Sequence, residues 1–407
     1  MKISTLITRE PFESIFEDTL ESFLLDWTGC KYTVKWEAAH DLKASSNVEQ
    51  IWYCNPLINS IFVDGVDGKV FDSINGEYAS NPLRPWRSGI QLLYLKLSQS
   101  KFLATALAKY RISISPQIAD AKQKLIIGGN TKIRLIDIET KSVCVLLKDG
   151  FDSKYIEREL FVRTEFPYLQ IPAILQLGTS AKWYREEYVS GQPPNRLEKC
   201  VGDKALSQAV DSIHRMLNQS QRSASFVGYL DVLDAQLCAA LENNAYLDSK
   251  TMDSIQNIVC SLKVFMKAYE GQYINLAYCH GDFHQGNILA DHKNLWILDW
   301  EFSGEKQIAY DLIILLLGTR IENGYASRFI KLVQDDLDNS EKDFVQAWPG
   351  INWICEGRMM YLLVFLLEDL IFYVEEAGNP LFYSNPNCLD ARARELSEIV
   401  QYLSSSI

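Results

Sequence analysis

The stretch CHGDFHQGNILADHKNLWILDWEFSG, residues Cys279–Gly304, carries the strongest functional signal in the chain. It contains a His-Gly-Asp triplet that ends at Asp282, then Asn287 five residues later, and Asp299 twelve residues after that. Asp299 follows the apolar run LWIL, which predicts a short buried strand. Three oxygen-bearing side chains are therefore carried by one loop and by the end of one strand.

Side chains of these types suit phosphoryl transfer. The reaction needs few covalent steps from the protein: a carboxylate positions the acceptor hydroxyl and accepts its proton, and oxygen ligands hold the magnesium ion that bridges the phosphates. Mg²⁺ prefers hard oxygen donors and keeps several waters, so two protein side chains plus the phosphates suffice. The alternative is that an Asp and an Asn in a glycine-containing turn only satisfy backbone groups.

The same stretch resembles the catalytic segment of the aminoglycoside phosphotransferase and choline kinase family, whose members have a protein-kinase-like fold. In that family the loop is roughly HGDxxxxN, followed by a strand that ends in IDW or IDF, and HGDFHQGN with ILDWE matches it position by position. The resemblance implies that Asp282 is the catalytic base, that Asn287 and Asp299 bind Mg²⁺, and that His280 orders the loop.

Three β-like runs precede this stretch: KLIIGG from Lys124, then KIRLIDI and SVCVLLK, with GN and ETK as hairpin turns between them. They predict three consecutive antiparallel strands. By resemblance to the family's first hairpin, Gly128, Gly129, Asn130 and Thr131 form a turn over the nucleotide phosphates, where small residues allow close approach of the backbone. A Gly-Gly pair by itself is more often an ordinary hairpin turn.

A lysine and a helical glutamate complete the nucleotide site that the resemblance implies. Lys148 closes the third run and resembles the family's phosphate-binding lysine. A helix is predicted for FDSKYIERELFVRTEF, and its alignment with the family selects Glu159 as the ion-pair partner of Lys148, with Glu157 as the fallback. A helical Glu is ordinarily solvent-facing, so this pairing depends on the assignment of Lys148.

Two further segments have counterparts in the family. The strand KWYREEYVSG resembles the hinge between the lobes, where main-chain groups near Glu187 to Val189 would contact the edge of the nucleobase. The segment YDLIILLLG resembles the one whose Asp supports the catalytic loop by hydrogen bonds, a role that falls to Asp311.

The resemblance covers about residues 122–375 and implies an α+β class, a bilobal protein-kinase-like fold with a small antiparallel β-rich N-lobe and a larger helical C-lobe. An extra N-terminal α/β region precedes it. The predicted domains are residues 1–115, of unknown role; residues 116–191, the kinase-like N-lobe and hinge; and residues 192–407, the helical C-lobe with the catalytic loop. Helices are predicted in that last domain at 203–218, 229–242 and 250–269.

The first 115 residues mix several local patterns. An amphipathic helix is predicted over Pro11 to Leu25, and the runs YTVKW and IWYCN have the character of strands. The turn-rich NPLRPW is followed by a long helical run from Ser88 to Tyr110.

The amino-acid composition indicates which kinds of partner and which cellular compartment to expect. The formal net charge of −12, from 52 acidic and 40 basic residues, disfavours a general nucleic-acid surface, because phosphate backbones are bound through clustered Lys and Arg. The nine scattered cysteines include no CxxC pair and are expected to be reduced thiols of a cytoplasmic protein. The longest apolar run, MMYLLVFLLEDLIFYV, is broken by Glu368 and Asp369, so it predicts a buried helix and no membrane span.

The expected function is therefore an ATP- or GTP-dependent kinase that phosphorylates a hydroxyl of a sugar, an aminoglycoside-like molecule or an amino alcohol such as choline. Trp300 and Glu301, next to the metal-binding Asp, favour a cationic or heteroaromatic acceptor by resemblance to the choline and thiamine kinase branches. Two alternatives stay open. One is an inactive nucleotide-binding scaffold whose N-terminal region binds a protein partner. The other is an atypical protein kinase, although HRD, DFG and APE signatures are missing from the sequence.

Overall fold

The chain forms two compact units in the computed structural model, which describes residues 1–38, 49–71, 85–100, 103–318, 324–351, 353, 356–383 and 388–406. The first unit comprises Met1–Leu160, Ile171–Gln192 and Ala290–Trp296. The second comprises Phe161–Gln170, Pro193–Leu289 and Ile297–Ile407.

The strands described in the first unit build one nine-stranded sheet, in the spatial order β1-β4-β2-β3-β5-β6-β7-β9-β8. Every described pair in it is antiparallel. The strands are β1 Thr33–Ala38, β2 Gln50–Asn55, β3 Ser60–Val63, β4 Tyr110–Ser115, β5 Lys124–Gly128, β6 Lys132–Asp137, β7 Ser142–Leu147, β8 Ile174–Leu177 and β9 Trp183–Glu187.

The three consecutive strands predicted from Lys124 onward are β5, β6 and β7, and they pair as two hairpins. In the first hairpin Gly128 lies opposite Ile133, and in the second Lys132 lies opposite Leu147. Strands from the first 115 residues continue the same sheet, because Ile61 of β3 pairs with Ile126 of β5. The N-terminal region is thus joined edge to edge to the kinase-like strands.

Two N-terminal helices, α1 (Ile3–Arg9) and α2 (Phe12–Thr28), cover one face of this sheet. Their apolar side chains share a buried cluster with residues of β1–β7 and β9. Phe16 is fully buried there, and its ring meets that of Trp36 edge-on at 5.2 Å between centroids. Apolar burial of this kind supplies most of the free energy that holds a helix against a sheet.

The structure corrects part of the N-terminal prediction. The helix predicted from Ser88 to Tyr110 is shorter: α3 spans Pro85–Ser98, and Tyr110 begins strand β4. The prediction extended the helix to Tyr110, but residues 103–107 lie in turns, and pairing of β4 with β1 and β2 makes Tyr110 extended. Most of the turn-rich NPLRPW lies outside the described residues.

Helices dominate the second unit. The predicted segments at 203–218, 229–242 and 250–269 correspond to α5, α6 and α7, and a helix does cover the apolar run that begins at Met359. The helices that follow α3 are α4 Lys154–Glu165, α5 Lys199–Ser220, α6 Phe226–Glu242, α7 Ser249–Met266, α8 Tyr310–Leu317, α9 Tyr325–Gln334, α10 Asn339–Ala347, α11 Glu356–Ala377 and α12 Cys388–Ser406.

Short strands carry the predicted catalytic stretch. One small sheet has the order β10-β11-β14, and β12 and β13 form a two-stranded sheet. The bounds are β10 Arg222–Ser225, β11 Tyr273–Cys279, β12 Ile288–Ala290, β13 Leu295–Ile297 and β14 Gly304–Gln307.

The predicted fold class is confirmed: a large antiparallel sheet and a set of helices match a kinase-like α+β fold with an added N-terminal α/β region. Among the residues that the structure describes, no helix is both long enough and apolar enough to span a bilayer. Within the same set, seven cysteines are free thiols.

We expect Phe16→Ala to lower the free energy of unfolding by about 3–5 kcal/mol, because it opens a cavity in the cluster beneath α1 and α2. Chemical denaturation of the whole chain measures the change. Leu25→Ala on the same helix is the control: its side chain is half exposed, and we expect a loss of less than about 0.5 kcal/mol. Equal losses in the two variants would contradict this account of the packing.

Candidate active site

The predicted catalytic stretch starts where β11 ends at Cys279, and it forms a loop that is buried except around Gly286. His280, Asp282 and Asn287 are each less than a tenth exposed. A single 3₁₀ turn, Gln285–Asn287, precedes β12. The polar groups of this loop therefore need internal hydrogen-bond partners, since water does not reach them freely.

Asp311, at the start of α8, supplies the main support. Its two carboxylate oxygens accept hydrogen bonds from the backbone N–H groups of His280 at 2.7 Å and Gly281 at 2.9 Å. The carboxyl is fully buried, and burial raises its pKa although the two N–H donors oppose that shift. The supporting role predicted for Asp311 is confirmed.

Gly281 makes the tight turn of the loop possible. Its φ is +82°, and a Cβ at this position would lie 2.0 Å from the backbone oxygen of Phe302. Only glycine avoids that overlap while adopting a positive φ at little cost. The Gly of the HGD triplet is thus required by sterics.

His280 joins both halves of the stretch. Its Nδ1 accepts from the N–H of Asp282 at 3.2 Å, so the hydrogen lies on Nε2, which donates to the carbonyl of Leu298 at 2.9 Å. The same Leu298 donates its N–H to the carbonyl of Asn287 at 2.8 Å. The residue before Asp299 is thereby tied to the loop that carries Asp282.

Asp282 and Asn287 are in direct contact. Nδ2 of Asn287 donates to the backbone carbonyl of Asp282 at 2.9 Å and to its carboxylate Oδ2 at 3.2 Å. The amide nitrogen is thus turned toward Asp282, so Oδ1 is the atom of Asn287 that can serve as a ligand. The structure brings these two predicted site residues together.

His284 was not among the predicted site residues. Its Nδ1 accepts from the N–H of Gly286 at 2.9 Å, which leaves the hydrogen on Nε2, and Nε2 lies 3.6 Å from Oδ2 of Asp282. The imidazole therefore presents a donor toward the predicted base. Its position two residues after Asp282 in the motif is the sequence signal that could have indicated it.

Asp299 occupies a backbone conformation that few residues accept. Its φ and ψ are +58° and +57°, in the left-handed region where Asp and Asn are the most tolerated residues after Gly. Trp300 and Glu301 follow in a short 3₁₀ turn and are both buried. Trp300 packs on the ring of His280 and donates Nε1–H to the carbonyl of Ile297 at 3.0 Å.

The donor set of the second unit fits Mg²⁺. Oδ1 of Asn287 and the carboxylate of Asp299 are hard oxygen donors, and Mg²⁺ at kinase sites takes few protein ligands beside phosphates and waters. A cluster of three or more His, Cys, Asp or Glu side chains able to hold a metal does not occur in the described ranges. Asn287 and Asp299 therefore suit a cation that is also held by the phosphates of a nucleotide.

In the first unit, the predicted phosphate turn connects β5 to β6. A Cβ on Gly129 would lie 2.6 Å from the carbonyl of Lys132, so the turn admits only glycine there. Thr131 is buried, and its carbonyl accepts from the N–H of Lys148 at 3.0 Å. The guanidinium of Arg9 donates to the side-chain and backbone oxygens of Asn130. Helix α1 thus ends against the turn.

The predicted lysine and glutamate each form a buried ion pair. Lys148 pairs with Glu10, which follows α1, while Glu159 of α4 pairs with Lys132 and accepts from the hydroxyl of Tyr184. All four charged groups are less than a twentieth exposed. The role assigned to Lys148 by resemblance stays a prediction.

The predicted hinge follows β9. The N–H of Glu187 donates to the carbonyl of Ala173, and that of Tyr188 to the carbonyl of Lys141. In the part of the chain that the structure describes, the backbone groups of Val189 have no backbone partner. The predicted contact of main-chain groups near Glu187 to Val189 with a nucleobase edge stays a prediction.

Glu368 and Asp369, two consecutive acids of α11, are both buried. Glu368 accepts from the hydroxyl of Tyr229 at 2.5 Å and from the N–H of Gln307 at 3.1 Å. Asp369 accepts from the hydroxyl of Tyr325 at 3.1 Å. Burial raises the pKa of both carboxyls, and that of Glu368 reaches about 7. The sequence indicated that these acids would need partners.

Residues 184–348 match the family model described as choline/ethanolamine kinase. The match, which includes the whole catalytic stretch, confirms the resemblance drawn from HGDFHQGN and ILDWE. The class of protein is a small-molecule kinase. The matched segment is similar to the choline/ethanolamine kinases. It comprises less than half of the 407 residues. No curated protein sequence matches the chain.

Several solved structures of kinases are similar at low identity. A choline/ethanolamine kinase family protein from Mesorhizobium loti is 15% identical with a TM-score of 0.44, over 68% of this chain and 92% of that one. Choline kinase LicA from Streptococcus pneumoniae is 11% identical with a TM-score of 0.43, over 70% and 92%. The ethanolamine kinase of Plasmodium vivax is 12% identical with a TM-score of 0.44, over 85% and 98%.

We expect the stability of the protein to fall as pH rises from about 4.5 to about 7, through Glu368. Its pKa is raised from 4.5 to about 7 because burial disfavours the carboxylate, so the folded chain holds a proton in this window that the unfolded chain has lost. The free energy of unfolding then decreases with pH, by on the order of 3 kcal/mol from this group.

Denaturation at a series of pH values measures the slope in wild type and in Glu368→Gln. The variant should show a flatter profile in this window. Glu375→Gln, at an exposed position of the same helix, should keep the wild-type slope. A Glu368→Gln profile that parallels wild type would exclude the assignment.

Proposed function

We propose that this small-molecule kinase transfers the terminal phosphoryl group of ATP or GTP to a hydroxyl of a small acceptor, with Asp282 as the catalytic base. The observation that carries the proposal is the contact of Asn287 with both the carbonyl and the carboxylate of Asp282. It holds a proton acceptor and a cation ligand side by side, which is the arrangement that phosphoryl transfer requires.

Asp282 would accept the proton of the acceptor hydroxyl as that oxygen attacks the terminal phosphorus and the bond to the leaving diphosphate breaks. The bonds of its neighbours support this role. Asn287 bonds one oxygen of the carboxylate, His280 bonds the N–H of Asp282, and Asp311 fixes the two residues before it. A base held this firmly loses little entropy in reaching the acceptor.

Asn287 and Asp299 would hold the magnesium ion. When bound with the nucleotide, the ion would supply positive charge that offsets the negative charge of the phosphates. The left-handed conformation of Asp299 directs the chain sharply at the end of β13, and the tie between Leu298 and Asn287 keeps that turn next to the loop. The two ligands are thereby presented by segments whose backbones are hydrogen-bonded together.

The nucleotide would be bound by the first unit, as predicted. Gly129, Asn130 and Thr131 form a turn with a sterically required glycine, which suits the close approach of phosphates. Glu187 ends β9, and Val189 offers main-chain groups to the base. The polar edge of the nucleobase would be recognised by main-chain groups at Val189.

An amino alcohol such as choline or ethanolamine is the first acceptor to test, because the family match points to that class. The short turn of Trp300 and Glu301 directly after Asp299 would place an acid near the acceptor. Both side chains are buried. Trp300 packs on His280 and bonds Ile297, whereas Glu301 carries the negative charge, so Glu301 is the better candidate for contact with a cation.

The inactive-scaffold alternative is disfavoured by the same geometry. A chain that binds nucleotide without transfer has no need for the bonds that hold Asp282 and Asn287 together, yet both contacts are present. Loss of either residue type is the simplest route to such a scaffold. The atypical protein kinase is disfavoured by the match of residues 184–348 to a small-molecule kinase family.

We expect Asp282→Asn to lower kcat by about 10²–10⁴-fold, because general base catalysis contributes that much. The amide is isosteric and can keep the bonds of the loop, so nucleotide affinity should change by less than about threefold. Formation of ADP or GDP with choline, ethanolamine and aminoglycoside acceptors measures turnover, and calorimetry measures binding.

Asp253→Asn on the exposed side of α7 is the control and should leave both quantities unchanged. Normal turnover by the Asp282 variant would show that another group is the base. Binding of nucleotide without transfer to any acceptor, in the wild-type protein, would support the scaffold alternative.

A further inference from the structure

We infer that Lys132, and not Lys148, is the lysine that contacts the nucleotide phosphates. The inference rests on the proposed function and refines its nucleotide site. It follows from the faces of β6 and β7 on which the two lysines lie, and from the carboxylate that each of them binds.

The register of the β6–β7 hairpin separates the two lysines. Lys132 lies opposite Leu147, and Ile133 lies opposite Leu146. Side chains alternate between the faces of a strand, and directly opposed residues share a face. Lys132 therefore shares a face with Leu147, whereas Lys148, one residue further along, lies on the opposite face with Leu146.

The face of Lys148 is the one that the N-terminal helices cover. Leu146 and Ile133 belong to the buried cluster that includes Ile3 and Phe12. Consistent with this, the Lys148 amine pairs with Glu10 and lies 5.6 Å from the centroid of the Phe12 ring. Neither the amine-bearing side chain nor its carboxylate partner has any exposed area. The ring of Phe151, which lies within the kinase-like resemblance, is closer to the amine than that of Phe12, at 4.7 Å. The carboxylate partner of Lys148 and the helices that cover its face come from residues outside that resemblance.

The face of Lys132 is the one that meets α4. Its amine pairs with Glu159, the residue that the family resemblance implies as the carboxylate partner of Lys148. Tyr184, which lies opposite Val145 on this same face, donates its hydroxyl to Glu159. The carboxylate is therefore held from two sides and in turn positions the lysine amine.

Lys132 also directly follows the predicted phosphate turn, Gly129 to Thr131. A lysine amine is a compact point charge that can be placed against a phosphate oxygen. A helical Glu paired with a strand Lys is the arrangement that kinases use to hold such an amine in position. Both requirements are met by Lys132 and Glu159, with the lysine one strand earlier than the resemblance implies.

Three double variants, each of which removes one buried lysine–carboxylate pair of the first unit, test the inference. They are Lys132→Met with Glu159→Gln, Lys148→Met with Glu10→Gln, and Lys124→Met with Asp137→Asn. The last pair joins β5 and β6 at a 2.7 Å contact and is the control for the cost of losing a buried pair. Replacing both partners avoids an uncompensated charge at Lys132 and at Lys124. Glu10 also binds the Arg9 guanidinium at 2.6 Å, so Lys148→Met alone, which leaves Glu10 paired with Arg9, is tested beside the double variant.

Two readouts are needed for each variant: calorimetric binding of the Mg²⁺–nucleotide complex, and kcat and KM for the nucleotide. We expect removal of the Lys132 pair to lower kcat/KM for the nucleotide by about 10²-fold or more, the size of effect seen when one charge-stabilising donor is lost. Binding should weaken in parallel. Removal of the Lys148 pair should lower the melting temperature, with kcat/KM within about fivefold of the Lys124 control.

A loss of nucleotide affinity with the Lys148 pair alone, or an equal loss with both pairs, would overturn the inference. If the wild type binds nucleotide but transfers no phosphate, the binding data still decide between the lysines while the proposed reaction fails. If the wild type binds no nucleotide, both fail. Should a double variant not melt cooperatively, Lys132→Arg and Lys148→Arg replace it, because Arg keeps the charge opposite each carboxylate, and at least a tenfold weaker binding is expected only for Lys132→Arg.

Discussion

The buried carboxylate of Asp311 is the group on which the candidate active site depends. Its two oxygens accept the N–H groups of His280 and Gly281, and no rotation of these peptides is possible while both bonds hold. Gly281 adopts a positive φ against the backbone of Phe302, so the loop fits only in this form. These constraints fix the position of Asp282, the next residue. The chemistry of the site is thus set by a residue that would touch neither nucleotide nor acceptor.

Two buried lysine–carboxylate pairs organise the β-rich unit in different ways. The pair of Lys132 and Glu159 connects the sheet to α4, while the pair of Lys148 and Glu10 connects it to the N-terminal helices. Removing two charges from water is costly, and attraction between them repays that cost only with good geometry. Such pairs are therefore better at specifying where elements dock than at adding stability. Here they specify one docking partner for each face of the same hairpin.

Features with a local signal could be predicted from the sequence. The hairpins β5–β7, the helices α5–α7 and the loop that contains Asp282 each depend on residues close in the chain. The features that were not predicted depend on distant partners: β4 becomes a strand through pairing with β1 and β2, and Glu10 meets a lysine 138 positions away. Successive side chains of a strand point to opposite faces of the sheet. The sequence pattern correctly ends β7 near Lys148, but an error of one residue would place the lysine amine on the other face.

The pairing of β3 with β5 has a consequence for the order of events on the ribosome. All four residues of β3 are buried, and Ile61 pairs with Ile126 more than sixty positions later. Until that later segment has emerged, a nascent chain carries an apolar strand with one side unpaired, which is the kind of edge that recruits other chains. Synthesis pauses between the two segments would lengthen this exposed interval, so codon speed across residues 64–128 bears directly on the yield of correctly assembled protein.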